Sequence, residues 1–241
     1  MDKVVMITGA SRGLGKALAL AFAKEGYQLA ISARGEEALM KVKDEAEKLG
    51  VKVLAVAGDM SIAEDVERFV GTAEVEFGRI DVLINNASIF GPSPGPYLLD
   101  YPEEDFVEVL RVNTVGPFLV TRRVLGHMLT RETGSIINVT SEAGNIGYAG
   151  WGAYGISKFA LEGMTQTWAD EVDGTGVRVN MVDPGEMDTE MHRQAVPNCD
   201  YELADPNQVV DVFLYLASDQ SKHINGMRFK AQDFVKEGQQ G

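Results

Sequence analysis

The feature that most constrains this chain is a repeated switch of hydrophobic period, from short β-rich apolar runs to amphipathic helical stretches. It starts within the first ten residues. VVMIT at 4–8 is an apolar run too short for a helix; GASRGLG follows, and then Leu14, Ala17, Leu18, Ala21 and Phe22 mark one face of a helix that closes at Gly26. QLAIS reads as a second strand, 36–49 as a charged amphipathic helix ending at Gly50, and VKVLAVA as a third strand. Ser61 and Glu64 have the spacing of a capping box, opening a helix that stops at Gly78. VLI before Asn85 is the fourth strand. From 102 to about 131 the pattern is helical, and Pro117 inside it predicts a kink or break near 113–116, because proline removes a backbone donor and crowds the preceding turn. SIINV, a helix from about 153 to 173, and VRVNMV follow. Asp205, Pro206 and Gln208 start a helix that runs to about 217, and a weaker strand near 227–231 ends the series.

Strands that alternate with helices through short connections must run parallel, each joined to the next by a right-handed crossover. The expected fold is α/β: a single doubly wound, Rossmann-type domain over 1–241, with about seven parallel strands and helices on both faces. A chain of 241 residues, 45% hydrophobic and 24% charged, suits one large unit of this kind. Two irregular stretches, 89–101 and 184–205, follow strands and so border a pocket, the second as a substrate lid. The residues after Phe234, 235–241, read as a frayed end.

A net charge of −14 excludes a nucleic-acid binder that works through a basic face. No apolar run approaches the eighteen or so residues of a membrane span, and a first strand beginning by Val4 leaves no room for a signal peptide. Cytoplasm is the expected compartment. The single cysteine, Cys199, fits a reducing one and reads as an incidental thiol. His127, His192 and His223 have no metal-ligand spacing and read as surface or packing residues; no metal is expected.

Chemistry concentrates in 138–158, NVTSEAGNIGYAGWGAYGISK. Tyr154 and Lys158 are four residues apart, so on a helix they lie one above the other. Ser141 sits just past the fifth strand, at the carboxyl end where open α/β sheets bind ligands. A phenol with a pKa near 10 is a poor acid or base at neutral pH. An ammonium at about 4 Å is worth roughly 4 kcal/mol at an effective dielectric of about 20, or about three pKa units as an upper bound. Lys158 is therefore expected to lower the pKa of Tyr154, while the Ser141 hydroxyl hydrogen-bonds a substrate carbonyl or alcohol oxygen. The bland alternative is a ring packed inward and a solvated ammonium.

Gly9, Gly13 and Gly15, between a strand and a helix, allow a tight turn, close backbone approach to a pyrophosphate, and use of the helix N-terminus as an anion site. The spacing is TGxxxGxG rather than GxGxxG. Together with NNAS at 85–88, Asn113, Ser141, the YxxxK pair and PGEMDT at 184–189, it resembles the classical short-chain dehydrogenase/reductase family over about residues 3–230. The resemblance implies hydride transfer between a nicotinamide and a carbonyl/alcohol pair. It makes Tyr154 the acid/base, Lys158 its cation and the holder of the nicotinamide ribose, Ser141 the group that orients the substrate oxygen, and Asn113 the anchor of a proton-relay water. It also implies that Gly9, Ser11, Arg12, Gly13, Leu14 and Gly15 cradle the cofactor, Asp59 and Met60 flank the adenine, Asn86 and Ala87 line the cleft, and Pro184, Gly185, Met187 and Thr189 wrap the nicotinamide. A homodimer or homotetramer, formed through the long helices after the fourth and fifth strands, is implied as well.

An NAD site wants an acid at the end of the second strand. Here Ala33 and Arg34 stand there, and with Arg12 two guanidinium groups can bracket a 2′-phosphate, so NADP(H) is expected over NAD(H). Phe90, Tyr97, Tyr148, Trp151, Met191 and His192 are the candidate walls of a small-molecule carbonyl or alcohol pocket. Three departures from the family stand out: Ser88 where NNAG is usual, a longer and more proline-rich loop at 89–101, and the ending MRFKAQDF where Asp-Gly-Gly is common. The reading is an NADP(H)-dependent oxidoreductase, with reduction of acyl-carrier-linked ketones as one substrate choice within it. Its rival is a cofactor-binding regulator or scaffold that does not turn over.

Overall fold

The computed structural model describes residues 2–234; the expected frayed end at 235–241 lies outside them. The strands are β1 (Val4–Thr8), β2 (Gln28–Ala33), β3 (Val53–Ala57), β4 (Val82–Asn85), β5 (Gly134–Val139), β6 (Val177–Asp183) and β7 (Arg228–Lys230). They form one sheet in the order β3-β2-β1-β4-β5-β6-β7, every pair parallel. After β3 the chain returns to the far side of β1, so the crevice between the carboxyl ends of β1 and β4 is the topological switch point.

Because the strands are apolar on both faces, each face carries its own core. Val5, Ile7, Leu29 and Ile31 point to one side, where α1 (Gly13–Lys24), α2 (Glu36–Glu47) and α8 (Asp211–Ala217) cover them with Leu18, Phe22, Leu39 and Phe213. Met6, Ala30, Leu83 and Ile136 point to the other. There α3 (Ala63–Phe77), α5 (Gly116–Thr130) and α6 (Gly152–Glu171) supply Phe69, Val124, Met128 and Ala169. Two further helices flank the crevice, α4 (Glu103–Leu110) and α7 (Glu190–Ala195).

The break expected near Pro117 is a π-helical turn, Arg111–Val115, between α4 and α5, which puts the proline in the first turn of α5. The Asp205–Gln208 capping box forms, although its first turn, Pro206–Val209, is 3₁₀ and α8 begins only at Asp211. The Ser61–Glu64 box does not form: α3 is capped by Ile62 without a side-chain bond. The Asp59 carboxylate takes the Ser61 amide at 2.9 Å, the donor Glu64 would accept in such a box, and the Ser61 hydroxyl at 2.5 Å. Among the described residues no helix is long and apolar enough to cross a membrane, and no group of three metal-ligating side chains occurs.

Candidate active site

A cleft of about 1080 Å³ opens over the carboxyl ends of the central strands. Its β1 end is built from backbone. Gly9 has a φ of +68°, and a Cβ there would lie 2.8 Å from the Ala87 Cα; a Cβ on Gly15 would collide with the Gly9 carbonyl oxygen. Thr8 Oγ1 accepts the backbone amides of Asn86 and Ala87 at 3.1 Å each, and the Asn86 side-chain Nδ2 donates to the carbonyls of Thr8 and Gly9 at 3.0 Å each. Ser11, Arg12, Gly13 and Leu14 line the cleft at the N-terminus of α1, whose first turn has no side-chain cap. That uncapped helix N-terminus fits a dinucleotide's pyrophosphate, and the missing side chains at Gly9 and Gly15 let the turn that presents it pack against itself and the Asn86–Ala87 backbone.

Arg34, at the end of β2, and Arg12 are exposed on the cleft rim; Arg12 is ion-paired with Glu190 of α7. Asp59 and Met60 line the same end. Burial works against the Asp59 carboxylate, but hydrogen bonds from the Ser61 hydroxyl and amide, with Arg111 and Arg34 nearby, hold its pKa below the usual range.

At the other end Tyr154, in the first turn of α6, lies against Phe90 and Trp151 with ring centroids at 5.5 and 5.8 Å. Ser141 is within hydrogen-bonding reach of the phenol and also accepts the Ala143 amide at 3.3 Å. Lys158 is one turn on. Its ammonium lies 5.4 Å from the centroid of the Tyr154 ring and donates to the Val139 carbonyl at 2.9 Å. The expected lowering of the phenol's pKa is not what this arrangement gives. Burial pushes Tyr154 up to about 12, eased by the Ser141 hydrogen bond and reinforced by Asp183, while burial brings Lys158 down to about 8 against the pull of Asp183 and Glu162. The lysine faces the ring and the strand end rather than the hydroxyl, so desolvation outweighs its charge.

Asn113 is 1% exposed on the π turn and does not line the cleft. Its carboxamide accepts the Ile89 amide at 2.8 Å and donates to the Ile89 carbonyl at 2.8 Å and to Ser157 Oγ at 3.0 Å, fastening the 89–101 loop to α6. That loop in turn meets α7, where Ser93 Oγ donates to the Gln194 carbonyl at 2.7 Å. Pro184, Gly185, Met187 and Thr189 line the cleft after β6, and Thr189 caps α7 through the His192 amide at 3.2 Å. Phe90, Tyr148, Trp151, Met191 and His192 form walls. Tyr97 does not: it is 68% exposed on the outside of its loop. Ser88 lines the cleft with its hydroxyl buried and unpartnered among the described residues. His192 is buried, whereas Cys199 lies outside the cleft with its thiol toward the Tyr201 carbonyl at 3.5 Å.

Sequence reasoning missed Glu162, Asp183 and Arg228, which lie beneath Ser141 and Lys158. Glu162 continues the four-residue spacing of Tyr154 and Lys158, a signal that could have found it. Nothing in the spacing marks Arg228.

The short chain dehydrogenase family model matches residues 3–200. Among curated relatives, the 3-oxoacyl-acyl-carrier-protein reductase FabG of Thermotoga maritima is 38% identical over 93% of this chain and 94% of its own. A protein of Escherichia coli CFT073 described as a short chain dehydrogenase and solved with NADPH superposes with a TM-score of 0.90 at 32% identity, covering 96% of this chain and 97% of that one. A xylitol dehydrogenase solved with NAD⁺ superposes at 0.87 with 31% identity, covering 95% and 96%.

Proposed function

This chain belongs to the short-chain dehydrogenase family and is an NAD(P)-dependent oxidoreductase; on that premise we propose that it is an NADP(H)-dependent carbonyl reductase or alcohol dehydrogenase in which Tyr154 is the acid/base. A nicotinamide held in this cleft would supply or accept the hydride. One observation carries the reading: two hydroxyls, Ser141 and Tyr154, meet within hydrogen-bonding reach on the floor of a cleft, with an ammonium beneath the ring. Ser141 orients the substrate oxygen by donating a hydrogen bond to it. Tyr154, protonated at rest with a pKa of about 12, holds the proton that a carbonyl oxygen takes up on reduction. Once that proton leaves, the Lys158 ammonium, 5.4 Å from the ring centroid, is the cation beside the phenolate. Asn113 acts by fixing the 89–101 wall and, as the family resemblance implies, by anchoring a relay water.

Gly9, Ser11, Gly13, Leu14 and Gly15 would hold the pyrophosphate, Asp59 and Met60 the adenosine, and Asn86, Ala87, Lys158, Pro184, Gly185, Met187 and Thr189 the nicotinamide half. Arg34 and Arg12 favour NADP(H): Ala33 occupies the place where an NAD site wants an acid, and both guanidinium groups reach the rim. A solved relative holds NADPH and another NAD⁺, so the pair of arginines, not the family, supports this choice. Residues 184–205 serve as the lid, and one domain carries both cofactor and substrate. Val115, Phe118, Ile156 and Phe159, half-exposed on α5, α6 and the π turn, suit a homodimer or homotetramer. Analytical ultracentrifugation checks that assembly, and a monomer at micromolar concentration would remove it.

A panel of neutral ketones and aldehydes with NADPH and NADH, run beside Tyr154→Phe, tests the reading. The expected outcome is NADPH-dependent turnover that falls about 10²-fold or more in the variant while NADPH still binds. NADPH binding without turnover of any carbonyl would favour a non-catalytic regulator instead. A preference for NADH would overturn the cofactor choice.

A further inference from the structure

Three consecutive residues at the end of β5 are each held by a side chain from a different position. The Val139 carbonyl accepts from Lys158 at 2.9 Å, Thr140 Oγ1 donates to Glu162 Oε1 at 2.7 Å, and the Ser141 carbonyl accepts from Arg228 Nη2 at 2.9 Å. Arg228, the first residue of β7, also donates through Nε to Glu162 at 3.0 Å and through Nη2 to Asp183 at 3.1 Å. The other oxygen of Asp183 accepts the Gly185 amide at 3.0 Å. Four residues beyond Arg228, Gln232 donates to the carbonyls of Pro184 at 3.2 Å and Glu186 at 2.9 Å. Gly144 leaves the room this needs, since a Cβ there would strike the Glu162 carboxylate.

Burying two carboxylates and a guanidinium brings little net stability, because desolvation offsets their attraction. What a guanidinium does fix is direction, through donors in a rigid planar fork. Here the fork is braced by two acids and one of its donors ends on the backbone of Ser141. We propose that Arg228, braced by Glu162 and Asp183, is a positioning residue that holds Ser141 against Tyr154 and ties the 184–186 loop to the same anchor. The ending MRFKAQDF, which departs from the Asp-Gly-Gly common in the family, supplies both Arg228 and Gln232 and so takes part in shaping the site. The inference rests on the proposed roles of Ser141 and Tyr154.

The test compares wild type with Arg228→Met, Arg228→Lys and Glu162→Gln, using NADPH and the best carbonyl of the panel across pH, with NADPH affinity measured by fluorescence. Arg228→Met is expected to lower kcat about 10²-fold, the cost of a misplaced reacting group, with NADPH affinity changed less than about threefold, and Arg228→Lys to recover most of the loss. The pH profile separates positioning from mere loosening. Lys158 is faced by Tyr154 and Glu162 from α6, the Val139 carbonyl from β5 and Asp183 from β6, with Arg228 of β7 compensating both acids. Removing the guanidinium leaves both carboxylates to favour the ammonium, so the alkaline limb of kcat/KM moves up; Glu162→Gln removes one of them, so the limb moves down. Wild-type kcat and an unmoved limb in both variants would overturn the proposal, as would losses that merely track melting temperature. If wild type reduces nothing, the functional reading fails on its own, and hydrogen exchange decides the positioning claim. Arg228→Met should speed exchange of the 139–144 amides by more than its loss of global stability in urea accounts for, and exchange there that only follows global stability would end it.

Discussion

At the β1 end of the cleft, Thr8, Gly9, Gly15 and Asn86 meet through main-chain atoms, the Thr8 hydroxyl and the Asn86 side-chain amide, in contacts too close to admit another carbon. At the β5–β6–β7 end, buried Lys158, Glu162 and Asp183 and half-buried Arg228 meet as charges drawn from α6, β6 and β7. The first end is sensitive to added atoms, because backbone cannot move aside. The second is sensitive to charge, because desolvation penalises the ions there and their pairing offsets that penalty only in part. At the cleft rim Arg34 and Arg12 are exposed, so a substitution there meets neither tight packing nor a desolvation penalty.

The largest effect expected is at the charged end. Lys158→Met should cut turnover about 10³-fold yet raise stability at pH 7. The folded pKa of Lys158 is about 8, below its ordinary 10.5, so between those values the unfolded chain binds more protons and wild-type stability rises with pH. Below pH 8 the buried ammonium costs up to about 3 kcal/mol, which the variant escapes. Urea titrations from pH 7 to 10.5 check this; a variant less stable at pH 7, with the wild-type slope retained, would mean that the charge is not desolvated as described.

Next comes the backbone end. Gly15→Ala should weaken NADPH about 10²-fold and cost about 3 kcal/mol, since the new Cβ must displace the Gly9 carbonyl. Calorimetry and denaturant unfolding measure both, and near-wild-type values would erase the contrast between the two ends. At the rim, Arg34→Ala should raise the NADPH dissociation constant about 10- to 30-fold, as loss of charge-assisted hydrogen bonds worth about 1.5–2 kcal/mol, and leave NADH unchanged. Equal losses for both cofactors would detach Arg34 from the 2′-phosphate. The smallest effect sharpens the same point. Glu190→Ala frees Arg12 from an exposed ion pair worth at most about 1 kcal/mol, so NADPH should bind tighter by no more than about fivefold.

The backbone end was legible because its signals are local. A strand, three glycines and a helix within about twenty residues specify the turn, and the break near Pro117 announced the π turn at 111–115. The charged end was legible only along α6, where four-residue spacing put Tyr154 and Lys158 on one face. Spacing carries no information about burial, so the direction of the Tyr154 shift came out opposite to expectation. Ser61 shows the same limit at short range, since a capping pattern cannot foresee that the Asp59 carboxylate will outcompete Glu64. Tyr97 shows it for a loop: an aromatic residue beside a pocket turned outward, because the backbone of 89–101 is set by Asn113 and Gln194 and not by its own composition.

By itself the sequence determined the parallel sheet, its alternation of strands and helices, and many of the residues that line the cleft, though not that Tyr97 and Asn113 stand outside it, since periodicity and glycine geometry act within a few residues of themselves. Only the tertiary structure decided the electrostatics. Arg228 stands 87 residues from Ser141 and 66 from Glu162, and a charge acquires its pKa and its role from neighbours that folding brings to it.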